Sequence, residues 1–324
     1  MCTAVSISLG THFFGRNLDL EYTNNENVVI TPRKYPFRFR CHKELSDHYA
    51  MIGMGLVEEG IPLYYEATNE KGLSVAALSF PGAEYCSERL GTDNIASFEF
   101  IPWVLCQCES VDGCRQLLLH TNITDEAFSP QYPVSPLHWL ISDRKSSLTV
   151  ECDGEELKVW DNPAHLLTNC PEMPFQLFNL NNYMHLSESS PENRMGGMEL
   201  SAYSKGMGAL GLPGDMSSTS RFVRAFFVKE KLSDEGDSYR NLMQFFHLLE
   251  SVSMPKGTVK GEDGRDEYTV YSCCCDTNRL IYYYRTYFSP SVRAVELTEE
   301  RKRGATPEIF SLCENDIIKG ESLW

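Results

Sequence analysis

Met1-Cys2-Thr3-Ala4-Val5-Ser6-Ile7-Ser8-Leu9-Gly10-Thr11-His12-Phe13-Phe14-Gly15-Arg16-Asn17-Leu18-Asp19 is two strand-like runs with a glycine between them. In the first, Val5, Ile7 and Leu9 share one face and Ser6 and Ser8 the other, the alternation of a pleated strand. Gly10 permits the tight turn into residues 11–16, so the reading is a β-hairpin that starts at the second residue. The hairpin returns Arg16 and Asp19 to the side of the chain terminus. Cys2 is small enough for an initiator methionine to be removed ahead of it, and the mature chain is expected to begin with a free cysteine. Its α-amine, with a reference pKa of ~7.7 to 8.0, would then lie within proton-transfer reach of a thiol of pKa ~8.5, so the nucleophile carries its own base. A guanidinium at Arg16 favours thiolate, and a carboxylate at Asp19 can accept from the amine and fix its direction.

Further strands are expected over 72–80 and 137–142, in a hairpin over 147–160 turning at Asp153-Gly154, and in 267–274 and 279–287 around Asp276-Thr277-Asn278. Helical spacing appears behind Ser110, a plausible N-cap for Val111, Cys114, Leu117 and Leu118. It returns over 220–231 and 238–252, where Phe222 and Phe226, then Leu242, Phe245, Phe246 and Leu249, make apolar stripes. Residues 121–136 and 187–216 read as irregular stretches long enough to shape a site. Hairpins and helices with few strand-helix-strand crossovers predict an α+β fold of stacked antiparallel sheets. No repeat or composition break divides the chain, and a single domain over 2–324 is expected.

The chain has 324 residues, 42% hydrophobic and 23% charged, enough to build a large core without disulfides. A formal charge of −16 argues against nucleic-acid binding and against adhesion to anionic lipid. Apolar runs are far shorter than the ~20 residues that span a bilayer, so no membrane insertion is expected. The N-terminus has neither a basic n-region nor an apolar h-region, which predicts cytoplasmic residence with reduced cysteines. The twelve cysteines contain no CxxC pair, and the Cys273-Cys274-Cys275 triplet is expected to pack as small hydrophobes. No metal site is expected.

Several blocks together carry a resemblance. Met1-Cys2-Thr3-Ala4, Phe14-Gly15-Arg16-Asn17-Leu18-Asp19, Asn69-Glu70-Lys71-Gly72-Leu73, Phe80-Pro81-Gly82, Leu167-Thr168-Asn169, Asn179-Leu180-Asn181-Asn182-Tyr183 and Leu212-Pro213-Gly214-Asp215 through Ser220-Arg221-Phe222 resemble the choloylglycine hydrolase family of bile salt hydrolases and penicillin V acylases. The resemblance implies an N-terminal nucleophile hydrolase fold, a four-layer αββα sandwich of two antiparallel sheets between helices, often as a homotetramer. It implies Cys2 as nucleophile, Arg16 and Asp19 as the pair that tunes and orients it, Asn169 as an oxyanion donor and Arg221 as a second pocket arginine. No cofactor has a task in that chemistry.

One position departs from the family pattern. Where bile salt hydrolases carry Asn before Phe-Pro-Gly and penicillin V acylases commonly carry Tyr, this chain has Ser79. The oxyanion contact expected there comes from the backbone N–H, which serine retains. Leu18, Leu20, Phe128, Tyr132 and Val134 are candidate walls for an apolar acyl group. The leading expectation is hydrolysis of glycine- or taurine-conjugated bile acids. The alternatives are penicillin V or N-acyl-homoserine-lactone acylase activity by the same mechanism, and a non-catalytic bile acid binding relative.

Overall fold

A computed structural model describes residues 1–41, 43–261 and 263–313. The first sheet runs in the spatial order Leu166–Leu167, Cys2–Leu9, Thr11–Leu20, Asp266–Asp276, Ile281–Thr286, Arg293–Glu296, and Val259–Lys260 pairs with Asp266–Asp276. The second runs Leu157–Asp161, Ser147–Cys152, Leu137–Ser142, Ser74–Ser79, Ile61–Asn69, Met51–Glu58, Asn27–Thr31, Glu308–Ser311. Every pairing within the two sheets is antiparallel.

Period-two alternation sorts the second sheet's side chains into two cores. Val28, Ile30, Ala76 and Leu78 face the first sheet, joining Ala4, Leu9 and Phe14. Val29, Val75, Ala77, Trp139 and Ile141 face the other way, onto the helices Phe100–Gln107 and Val111–Leu118. Phe222 of helix Ser218–Lys229 and Leu242, Phe245 and Phe246 of helix Ser238–Glu250 cover the first sheet from outside. The layers are therefore helix, sheet, sheet, helix.

The opening hairpin forms as its pattern dictates. Gly10 takes a positive φ of 66° at the turn, and Cys2 pairs with Leu18, Ala4 with Arg16. Gly15 is required for a different reason: a Cβ there would lie 2.0 Å from the Cys273 carbonyl oxygen. Ser6, placed by alternation on a polar face, is buried. Its hydroxyl bonds His12 Nε2 at 2.8 Å and accepts from Ser142 at 2.7 Å, while Ser142 bonds Ser147 at 2.8 Å and Ser147 bonds His165 Nδ1 at 2.8 Å. A polar seam thus fastens one sheet to the other, because both faces of this strand are covered and its hydroxyl must find partners inside.

Ser110 caps its helix by accepting from Gly113 N–H at 3.3 Å. Cys273, Cys274 and Cys275 are all buried in the core. One expectation is corrected: the stretch 121–136 is not irregular throughout, since Thr121–Thr124 pairs in parallel with Asp93–Ala96. Among the described residues, no helix is long and apolar enough to cross a membrane.

Candidate active site

Cys2 lies at the start of its strand, 3% exposed. Met1 is still joined to it, and its ammonium donates to the Asp19 carbonyl at 2.8 Å and pairs with the Glu267 carboxylate. The Asp19 N–H donates back to the Met1 carbonyl at 3.0 Å, so the terminus is held in ladder register beside the second strand. The Asp19 carboxylate is fully buried; one oxygen accepts from Thr269 Oγ1 at 2.6 Å and the other has no partner among the described residues. Burial pushes the Asp19 carboxyl up, against the pull of Arg221 and the terminal amine.

Asn169 follows the two-residue strand Leu166–Leu167. Its Oδ1 accepts from the Cys2 N–H at 2.9 Å and from Arg221 Nη2 at 2.6 Å, and its Nδ2 donates to the Ser79 carbonyl at 2.6 Å. A primary amide carries a second N–H, which the Ser79 contact does not use. Arg221, in the first turn of Ser218–Lys229, is buried and points inward: Nη1 donates to the Cys2 carbonyl and to Thr3 Oγ1 at 2.7 Å, and Nε to the Met216 carbonyl at 3.0 Å. Burial lowers the Arg221 pKa, opposed by Asp19 and Cys2.

Arg16 is fully buried between the sheets. Its Nη1 donates to the Tyr65 carbonyl at 3.2 Å and the Ala77 carbonyl at 2.5 Å, and Nη2 has no hydrogen-bond partner among the described residues. Burial opposes its charge, but Cys2, Tyr271 and Glu66 outweigh that and hold the guanidinium protonated. Cys2, Arg16, Asp19, Ser79, Asn169 and Arg221 are thus brought together at one end of the inter-sheet layer.

The candidate walls divide. Leu18 packs within the core opposite Cys2, and Leu20 is half-buried against it. Phe128 lines a cavity of about 640 Å³ with Phe37, Phe39, Ile61 and Phe98, whose lining does not include Cys2. Tyr132 ties its loop to the hairpin tip by donating to Glu58 Oε1 at 2.7 Å. Val134 is half-buried.

Sequence reasoning missed Glu66, His138 and Glu267. His138 is fully buried, stacks on Phe80 with ring centroids 4.5 Å apart, and bonds the Thr168 carbonyl at 2.9 Å, so it touches the neighbours of both Ser79 and Asn169. The signal for Glu66 was present: it stands alone as a charge within Tyr64-Tyr65-Glu66-Ala67-Thr68, a strand-forming run. Among the described residues, no group of three or more His, Cys, Asp or Glu could hold a metal ion.

Two antiparallel sheets between helices, with a cysteine at the head of a strand facing buried arginine and amide groups, define an amide hydrolase of the N-terminal nucleophile type. The family model described as linear amide C–N hydrolases, choloylglycine hydrolase family, matches residues 2–309. The chain belongs to that family. It is 48% identical over 303 residues to the bile salt hydrolase/transferase of Lactiplantibacillus plantarum, covering 93% of each chain. It is 36% identical to the bile salt hydrolase/transferase of Clostridium perfringens, covering 94% of each. A crystal structure of a mutant conjugated bile acid hydrolase from Clostridium perfringens superposes with a TM-score of 0.91 at 33% identity, over 99% of this chain and 100% of that one. The penicillin V acylase of Agrobacterium tumefaciens shares the fold, with a TM-score of 0.75 at 18% identity over 95% and 90% of the two chains.

Proposed function

We propose that the chain hydrolyses the amide bond of glycine- or taurine-conjugated bile acids. The carrying observation is the convergence of Asn169 and Arg221 on Cys2 from 167 and 219 residues away in sequence. The names of its relatives supply the substrate class. Once Met1 is removed, the Cys2 thiolate attacks the amide carbonyl carbon, and a C–S bond forms as the carbonyl oxygen takes up negative charge. The Asn169 amide and the Ser79 N–H stabilise that oxyanion. The Cys2 ammonium gives its proton to the departing nitrogen as the C–N bond breaks, leaving a thioester and free glycine or taurine. Water, deprotonated by the same amine, opens the thioester, releases the bile acid and restores the thiol. Arg16 and Arg221 hold the sulfur and the turn around it, and Asp19 orients the amine.

In this reading the steroid runs from Leu20 beside the site out to the loop of Phe128, Tyr132 and Val134, whose cavity lining does not itself include Cys2, with Leu18 packing behind Cys2. The twelve unbridged cysteines support a reducing, cytoplasmic setting. Exposed Phe175, Phe178 and Met184 supply apolar surface for a homotetramer. The test compares turnover of glycocholate, taurocholate and penicillin V. Either bile salt should be cleaved much faster than penicillin V, and penicillin V hydrolysis with both bile salts intact would overturn the substrate assignment.

A further inference from the structure

Glu66 lies on the strand Ile61–Asn69 of the second sheet, 1% exposed, and its carboxylate reaches the first. It accepts from the hydroxyls of Tyr271 at 2.8 Å and Tyr282 at 2.5 Å and from the Cys273 thiol at 3.4 Å, and its Oε2 is 3.6 Å from Arg16 Nη1. Among the described residues it is the carboxylate within ion-pair distance of Arg16, whose other hydrogen-bond acceptors are backbone carbonyls. A buried ion pair is no more stabilising than apolar residues of the same volume, so stability gives little reason for this charge to be here.

We propose that Glu66 is a positioning residue for the reaction: by pairing with Arg16, its carboxylate sets how much of the guanidinium's charge reaches the Cys2 sulfur. The inference rests on Cys2 being the nucleophile. Two buried cations, Arg16 and Arg221, feel the charge of Cys2, Arg221 through a hydrogen bond to its carbonyl as well, and Asp19 and Glu66 balance them. Thr269 holds Asp19, and Tyr271, Tyr282 and Cys273 hold Glu66. The terminal amine and Glu267 complete the charged groups at the strand's end, and the Tyr65 hydroxyl is turned away to accept from Asn24. Burial pushes the Glu66 carboxyl up, while Arg16 and the two tyrosines pull it back. With Glu66 ionised, Arg16 favours thiolate only partly. That matters because a thiol poised near ambient pH attacks fastest, and a more acidic one is a weaker nucleophile.

The test follows alkylation of Cys2 by iodoacetamide across pH in processed enzyme, read by mass spectrometry of the N-terminal peptide. In Glu66→Gln the midpoint should fall by about one pH unit, as expected for removing one nearby buried charge. The limiting rate at high pH should fall about threefold through the lower nucleophilicity. Glu66→Asp, which keeps the charge, should restore the wild-type midpoint. Should Glu66→Gln fail to fold, Tyr282→Phe decides, moving the midpoint the same way by less. An unmoved midpoint in the folded variants overturns the role of Glu66. Wild-type enzyme that stays active with Cys2 alkylated overturns instead the nucleophile reading beneath it.

Discussion

Asn169→Ala removes the hub of the site, and the structure lets its two consequences be separated. The amide loses a donor to the developing oxyanion, an interaction worth about 2.7 to 4 kcal/mol of barrier, so kcat should fall by about 10² to 10³. It also loses the acceptor that Arg221 Nη2 meets at 2.6 Å and the Cys2 N–H meets at 2.9 Å. A buried guanidinium nitrogen left unpaired costs about 1 to 3 kcal/mol, so the melting temperature should drop by a few degrees. Asn169→Asp keeps that acceptor and discards the donor. It preserves the Arg221 contact but sets a carboxylate oxygen against the Ser79 carbonyl, which the amide meets as a donor at 2.6 Å, so part of the thermal stability is lost together with at least as much kcat. Glycine release from glycocholate measures turnover, and iodoacetamide trapping of Cys2, which forms no oxyanion, reports on the thiol alone. Trapping should be nearly unchanged in Asn169→Ala. An Asn169→Asp enzyme within about fivefold of wild-type kcat would refute the oxyanion role, since one lost donor costs about 10² or more.

Cys2→Ala should abolish turnover of both conjugates with little change in melting temperature, because the side chain is small and the strand is held by its ladder; appreciable turnover would refute the nucleophile. Protein whose intact mass shows Met1 retained should be inactive, its would-be base being an amide nitrogen, and activity in such material would remove the terminal amine from the mechanism. His12 gives a pH prediction. Burial holds its imidazole down to about 4, against 6.5 for the unfolded chain, so the folded protein refuses a proton that the unfolded chain takes up between those values. That stability is fully present above pH 6.5 and lost as the pH falls toward 4, by up to about 3 kcal/mol. Urea midpoints across this window should fall less steeply in His12→Gln than in wild type, and parallel curves would show that His12 is not the group responsible.

The hairpin, the 137–142 strand and the two long helices were legible because each buries one face and so prints its period on the sequence. The helix Phe100–Gln107 was not. Nearly every residue in it is buried, which leaves no polar face to mark the turn of the helix. Nor was the strand Met51–Glu58 read, since Gly53 and Gly55 interrupt its apolar alternation; a Cβ at Gly53 would lie 2.0 Å from the Glu66 carbonyl oxygen, so close strand approach demands the glycine. Cys2, Arg16 and Asp19 could be joined from sequence because one turn connects them. Asn169 and Arg221 could not, since periodicity says nothing about contacts across such separations, and only the family resemblance placed them. His138 was invisible for the opposite reason: inside an apolar strand a lone histidine looks like any satisfied core polar group.

The clash that would follow any side chain at Gly15 presses the Arg16 strand against Cys273 with no slack. Reactive groups carried on so tightly seated a ladder have no neighbouring conformations to drift into, whereas Phe128 and Tyr132 ride on a surface segment free to change length and composition. Laboratory evolution toward new acyl groups should therefore accumulate its substitutions in that segment and leave residues 14–19 untouched.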